Sequence, residues 1–189
     1  GGKEYILKEE SKELFLNFWD IPTNDPRRQR KGLYHEVIQN YDDKSIQILF
    51  LDTRTFRDNL KPTDDKGAVG KERYVPFPDT SLTMLGKEQW QWLAKKISKS
   101  VDYRIIVSSI QILAVGHGWE CWNNLPYERQ RFIDLLDKSN INIKFLPSID
   151  TLFKGKLSLT DFENVNLDDI LQRDIEINKN QIHNDISKK

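Results

Sequence analysis

Along residues 8–19 the apolar side chains Leu14, Phe15, Phe18 and Trp19 recur at i, i+1, i+4 and i+5 behind a charged cluster of Lys8, Glu9, Glu10, Lys12 and Glu13. That spacing predicts an amphipathic helix with the four apolar residues on its buried side. Pro22, Asn24, Asp25 and Pro26 stop it through φ restriction and turn chemistry, and Arg27-Arg28-Gln29-Arg30-Lys31 leads as a loop through Gly32 to Tyr34. Polar residues 40–44, with Asp42-Asp43 at their centre, suit a hairpin turn between a strand near 33–39 and a stronger one at 46–52. The run Ile46-Gln47-Ile48-Leu49-Phe50-Leu51 is almost continuously apolar, as expected of a central strand covered on both faces, and it ends in the polar group Asp52-Thr53-Arg54.

Residues 57–80 hold Pro62, Gly67, Gly70, Pro76 and Pro78 with mixed charge and little periodicity, which predicts a long loop suited to one wall of a cleft. A second helix is expected from Leu85-Gly86 to about Ser100, with Trp90, Leu93 and Ile97 on one stripe and Lys87, Lys95, Lys96 and Lys99 on the other. Residues 104–108 read as a short buried strand, and Gly116-His117-Gly118-Trp119-Glu120 as a turn. Pro126 opens a third helix over 126–138, whose apolar face is Phe132, Ile133, Leu135 and Leu136. A final strand at 142–146 completes an alternation of strands and helices that defines an α/β fold. Past Pro147 the text changes: residues 154–189 have no Trp or Tyr and a single aromatic, Phe162, so a solvated helix near 160–178 with a frayed tail is expected. The organisation expected is one domain over 1–147 and a divergent polar tail over 148–189.

Composition narrows the function. The 29 basic and 29 acidic residues cancel, so no long-range field gathers nucleic acid or an anionic membrane, and a nucleic-acid partner is not expected. A 31% share of charged residues against 38% hydrophobic agrees with a partly solvated chain. Cys121 is the only cysteine, which excludes an intrachain disulfide and a cysteine-rich zinc cluster; without an oriented His beside it, it reads as an inert thiol. No run of about 18 apolar residues occurs, so no membrane span is expected, and Gly1-Gly2-Lys3-Glu4-Tyr5 shows no signal-peptide pattern.

Candidate chemistry lies at the strand ends. Asp52 and Arg54 suit the orientation of a phosphate, since a guanidinium fork matches phosphate oxygens, and they equally suit a structural ion pair. Arg57 follows them as a candidate substrate contact. His117, between two glycines, with Glu120 three residues on, is placed for a metal ligand or general acid, but one His and one Glu do not make a metal site. Trp119 and Trp122 flank that turn and suit either a pocket wall or the core. Arg27, Arg28 and Arg30 read as solvated charge, His35 as a strand-surface residue, and His183 as part of the tail.

Five ordered segments resemble the PhoD-like branch of the metallophosphoesterases: Pro26-Arg27-Arg28-x-Arg30-x-Gly32-x-Tyr34, Asp52-Thr53-Arg54, Leu85-Gly86 through Leu93, Ser108-Ser109-Ile110-Gln111, and His117-Gly118-Trp119-Glu120-x-Trp122-x-Asn124-x-Pro126-x-Glu128-Arg129. The resemblance implies a four-layer αββα fold with two stacked sheets, of which this chain is a part. It also implies hydrolysis of phosphate mono- or diesters by water activated on a metal cluster of calcium and iron. Family members are often exported; no compartment or oligomeric state follows for this chain. The family's Asp- and His-rich motif lies just upstream of the segment that matches residue 8 onward, and its Ser-Gly-Asp-x-His motif is replaced here by Pro147-Ser148-Ile149-Asp150-Thr151-Leu152. Without that glycine and histidine Asp150 is not expected to bind metal. The expectation is therefore a central segment in which Asp52, Arg54, His117 and Glu120 support the site, Arg57, Trp119 and Trp122 line the substrate wall, and no residue ligates metal. Alone it should hold no cofactor and hydrolyse little. The alternative is a non-catalytic binding or scaffold protein that keeps the phosphatase core.

Overall fold

The computed structural model describes residues 1–139. The strand expected at 142–146, the Asp150 segment and the tail helix lie outside the described residues. The chain divides into two compact units, Gly1–Phe132 and Ile133–Lys189, and the site and sheet described below belong to the first.

A three-stranded sheet in the order β1-β2-β3 is built from β1 (His35–Tyr41), β2 (Lys44–Phe50) and β3 (Tyr103–Val107). The first two strands form the expected hairpin, joined through Asp42 and Asp43, where Asp42 takes the positive φ of 51° that a two-residue turn demands. β2 and β3 run parallel, so their carboxyl ends emerge side by side, and Leu51 N–H continues the ladder to Val107 O at 2.9 Å. In open α/β sheets ligands bind beyond such paired carboxyl ends.

Helix α1 (Lys8–Phe18) forms where expected but turns the other way. Leu14, Phe15, Phe18 and Trp19 are all exposed, Phe18 by 77%, whereas Leu16 is fully buried. At 100° per residue Leu16 and Lys12 lie 40° apart on a stripe well round the helix from Leu14 and Phe18. That stripe is the one that docks, because the Lys12 ammonium donates to Arg30 O at 2.7 Å and Arg28 pairs with Glu13 at 3.1 Å. The outward aromatics meet each other instead, Phe18 and Trp19 edge to face at 5.2 Å.

The segment expected to be loop holds a short helix, α2 (Pro26–Gln29), capped by the Asp25 carboxylate, which accepts the Arg27 N–H at 2.8 Å. Asp25-Pro26 is an N-cap followed by proline at the first helical position. The arginines here are not free solvated charge: Arg27 makes a two-pronged pair with Asp25, Arg28 donates to Ile21 O, and Arg30 lies 4.0 Å over the Tyr34 ring.

Helix α3 (Gly86–Ile97) buries the expected stripe of Trp90, Leu93 and Ile97. It is tied to one face of the sheet by a polar network: Gln47 donates to Lys96 O at 3.2 Å and to Glu36 at 2.6 Å, and Glu36 also pairs with Lys96 and Lys99. Helix α4 (Pro126–Lys138) begins at the expected proline. Trp90, Trp122 and Phe132 close the core as a three-ring cluster, with Trp122 and Phe132 5.1 Å apart.

β2 is central, as expected, but it is not covered on both faces. Its register aligns Ile46, Ile48 and Phe50 with Tyr103, Ile105 and Val107, and those β3 residues are 59%, 45% and 38% exposed. β3 is thus a half-exposed edge strand among the described residues and not the buried strand its composition implied. Its alternation of exposed and half-buried positions is that of a strand with one face packed.

Candidate functional site

Polar residues at the carboxyl ends of β2 and β3 build two different arrangements. The first is centred on Asp52, 9% exposed, whose carboxylate accepts four hydrogen bonds. Oδ1 takes the backbone N–H groups of Arg54 and Thr55, each at 2.9 Å. Oδ2 takes the Leu33 N–H at 2.8 Å and the Thr55 hydroxyl at 2.6 Å. A carboxylate offers about four lone-pair positions, so this one is saturated by its own chain. The Asp52 backbone is fixed as well, donating to Gln89 Oε1 and accepting from Gln89 Nε2, both at 2.8 Å. Gly32, at φ 79°, completes the corner: a Cβ there would stand 2.7 Å from the Phe56 ring and 3.0 Å from Asp52 Oδ2.

Beside it the Thr53 and Ser109 hydroxyls meet at 2.7 Å, joining the two strand ends. Ser108 accepts from Trp122 Nε1 at 3.1 Å and donates to Ile110 O at 2.7 Å. The Ser108-Ser109-Ile110-Gln111 segment therefore stitches the strand end to the segment carrying Trp122.

The second arrangement is centred on Glu120. Asp52 and Arg54 do not form an ion pair; the Arg54 guanidinium reaches Glu120 instead, nitrogen to oxygen at 2.7 Å on both prongs. Arg57, only 5% exposed, adds an ion pair to Glu120 Oε1 at 3.1 Å, and among the described residues its Nε has no partner. A cleft on one side is lined by Ser109, Ile110, Gln111, His117, Trp119 and Glu120. A pocket on the other side shares Trp119 and Glu120 and adds Arg54, Arg57, Arg73 and Tyr74. Residues expected to lie near the site from two distant segments, 52–57 and 117–120, thus converge on one carboxylate.

His117 lies in the first cleft with both ring nitrogens engaged. Nδ1 accepts the Trp119 N–H at 3.1 Å, so the proton sits on Nε2, which faces Gln111 Oε1 at 3.2 Å. Trp119 is 54% exposed and lines both depressions. Trp122 does not share that position: it is fully buried in the aromatic core and lines neither depression. Its indole fills space against Trp90 and Phe132, which sequence could not distinguish from a wall position three residues away. Cys121 is also buried, and desolvation pushes its thiol above the ordinary range, as suits an inert side chain.

Two further residues stand out. Glu128, 5% exposed, accepts on Oε2 from the Thr83 hydroxyl, the Met84 N–H and Trp90 Nε1, at 2.6 to 2.7 Å. It clamps α4 to the start of α3. Arg73 comes from the long 57–80 loop, whose walls do line the second pocket as expected. The spacing of a Glu and an Arg in polar text carried no sign of either role.

The calcium and iron implied by the resemblance do not fit these residues. Asp52 has no free lone pair, Glu120 is held by two guanidinium groups, and His117 has one nitrogen taken by the Trp119 N–H and the other facing Gln111. Among the described residues no three of His, Cys, Asp and Glu gather as a ligand set. No helix among them is long and apolar enough to cross a membrane.

Residues 25–146 match the family model described as PhoD-like phosphatase. The alkaline phosphatase D of Bacillus subtilis (strain 168) is 28% identical over 101 residues, a match covering 49% of this chain and 17% of that enzyme. The solved "Structure of PhoD" aligns at TM-score 0.47 and 20% identity, covering 75% of this chain and 29% of that one. The chain thus spans less than a third of the length of either protein. On the family match, which takes in most of the sequence, the chain belongs to the PhoD-like phosphatase family.

Proposed function

We propose that this chain supplies the non-metal wall of a phosphate-ester-hydrolysing site within a PhoD-like, four-layer αββα domain, and that by itself it does not turn over substrate. The observation that carries the reading is the Glu120 junction, where Arg54 and Arg57 from the end of β2 meet a carboxylate from the 117–120 turn. The pairing places guanidinium groups beyond the carboxyl ends of two parallel strands, where an α/β sheet presents its ligand crevice. Arg54 is oriented by two bonds and Arg57 is buried around its charge, so neither has to be ordered when an anion arrives. Asp52 acts one step back, shaping the turn that aims both. Trp119 supplies an apolar wall for the organic part of an ester, and His117 holds the turn that carries Trp119 and Glu120. Where metals are bound in the family they activate the attacking water; the described residues provide orientation and charge.

The test is hydrolysis of p-nitrophenyl phosphate and bis(p-nitrophenyl) phosphate by the purified 189-residue chain with added calcium and iron. Release of p-nitrophenol no faster than in protein-free buffer is expected. Turnover that chelator abolishes would show that the chain assembles a complete metal site.

A further inference from the structure

We propose that α1 is a self-association element, whose outward face pairs antiparallel with the same face of a second copy of this chain about a two-fold axis. The helix lies ahead of residues 25–146, which carry the family match, and the phosphatase reading gives it no role.

Helix α1 buries little against its own chain. Leu16 is its one fully buried residue, and no side chain caps its N-terminus at Leu7. A helix of 11 residues is marginal in water by itself, and in proteins such helices are stabilised chiefly by covering an apolar face. That face is present and bare: Leu7, Leu14, Phe15, Phe18 and Trp19 are between 44% and 77% exposed. Among the described residues the three rings meet one another, Phe15 and Phe18 each against Trp19. Taking about 200 Å² for a whole aromatic side chain and about half that for a leucine, the five expose on the order of 500 Å² of apolar surface. A stable complex buries about 800 Å² on each partner, so this face supplies the core of a weak, micromolar dimer.

The order of residues on the face points to its own copy as the cover. Leu7, Ser11, Leu14 and Phe18 recur at spacings of four, three and four, the rhythm of a helix-to-helix seam. Turned end for end about a point between Lys12 and Glu13, the seam meets itself with Leu7 against Phe18 and Ser11 against Leu14. A small side chain thus stands opposite a large one at the centre, which lets the backbones approach and leaves no gap. A parallel pair in register would set Ser11 against Ser11 and Phe18 against Phe18, leaving one layer empty and crowding another. The borders agree with the antiparallel choice. Like borders then face each other, so Glu10 comes beside Asn17 of the second copy, and Lys8 beside its Phe15 and Trp19. No like charges are opposed, and the ammonium meets ring faces.

A bilayer fits the same face less well. Helices that lie in a membrane surface carry Lys and Arg on their polar side. Here that side carries Glu9 and Glu13, and the Lys12 ammonium is engaged by Arg30 O.

The experiment is sedimentation velocity of the 189-residue chain over a micromolar concentration series, beside Leu14→Lys and Phe18→Lys. The wild-type sedimentation coefficient should rise with concentration from monomer towards dimer. Each variant should weaken association at least roughly tenfold, because a two-fold seam takes in the new charge twice. Both side chains are mostly exposed, so the circular dichroism spectrum and the urea midpoint of each variant at the dilute end should match wild type. If one variant unfolds, the other decides. Orientation is read by mixing Ser11→Cys chains with Leu14→Cys chains under mild oxidation, the native Cys121 being buried. Disulfides between the two variants should form faster than disulfides within either. A coefficient that does not change with concentration, undiminished association in either folded Lys variant, or faster crosslinking within each cysteine variant would overturn the proposal. So would co-sedimentation with phosphatidylcholine vesicles that Leu14→Lys abolishes, since the face would then belong to a bilayer.

Discussion

Asp52 and Glu120 are two carboxylates at the same end of the same sheet, yet they sit in opposite kinds of surroundings. Asp52 accepts four hydrogen bonds from backbone and hydroxyl donors and leaves nothing over. Among the described residues Glu120 is held only by arginines, and the arginines exceed what it satisfies, since Arg57 keeps an unpartnered Nε and the Arg73 side chain stands uncommitted in the same pocket. The difference separates a group that builds a site from groups left over to bind at it. A saturated carboxylate is worth stability, because removing an acceptor strands its donors; a surplus cation is worth affinity, because it costs the fold little.

Glu128 belongs with Asp52 in this contrast and should show the largest effect. Glu128→Ala strands the Met84 N–H, the Thr83 hydroxyl and the Trp90 indole N–H in a buried site. A loss of about 3 kcal/mol or more is expected, since each stranded buried donor costs about 1 to 3 kcal/mol, and it is read as a lowered urea midpoint. Asp52→Asn comes next: an amide keeps one acceptor oxygen but turns the other into a donor facing N–H and O–H groups, so about 2 kcal/mol should be lost. A change of under 0.5 kcal/mol for either variant would show that the hydrogen bonds of that carboxylate are not what holds the corner.

The smallest effect is set by pH and concerns the covered face of the sheet. Burial pushes the Glu36 carboxyl up, but hydrogen bonds from Lys96, Gln47 and Lys99 outweigh it and hold the group at about 2. A pKa depressed in the folded state contributes stability above the unfolded value, and that contribution is lost as pH falls from about 4.5 towards 2. Lys99 is 40% exposed, so screening by water limits the contribution to about 1 kcal/mol. Wild type should therefore exceed Glu36→Gln in stability at pH 6, with the gap closing between about pH 4.5 and 2. A gap that stays constant across that range would remove the charge from the account.

Much of this was legible in the sequence where one local rule acted alone. The Asp42-Asp43 turn set the hairpin, Pro126 set the start of α4, and the Trp90-Leu93-Ile97 stripe set the buried face of α3. The orientation of α1 was not legible because its most apolar stripe is not its docking stripe: the fully buried Leu16, the hydrogen bond from Lys12 to Arg30 O and the Glu13–Arg28 pair decide it. The apolar run of β2 likewise implied two covered faces, when its register leaves Tyr103, Ile105 and Val107 half exposed beside it. In the site, the motifs placed Arg54 and Glu120 near one another but not their partnership, since Asp52 is Arg54's nearer acid in sequence. Arg73 stands in no motif, and Glu128 stood in the His117 segment without a sign of its role, which comes from Thr83, Met84 and Trp90 folded against it and not from spacing.

The contrast between the two carboxylate corners is tested most directly by urea denaturation of Asp52→Asn and Arg73→Gln beside wild type. The account predicts that Asp52→Asn unfolds at markedly lower urea, because its four donors lose their shared acceptor. It predicts that Arg73→Gln, which alters an exposed side chain with no hydrogen bond or ion pair among the described residues, unfolds with wild type. Wild-type stability in Asp52→Asn, or a loss in Arg73→Gln as large as that in Asp52→Asn, would contradict it.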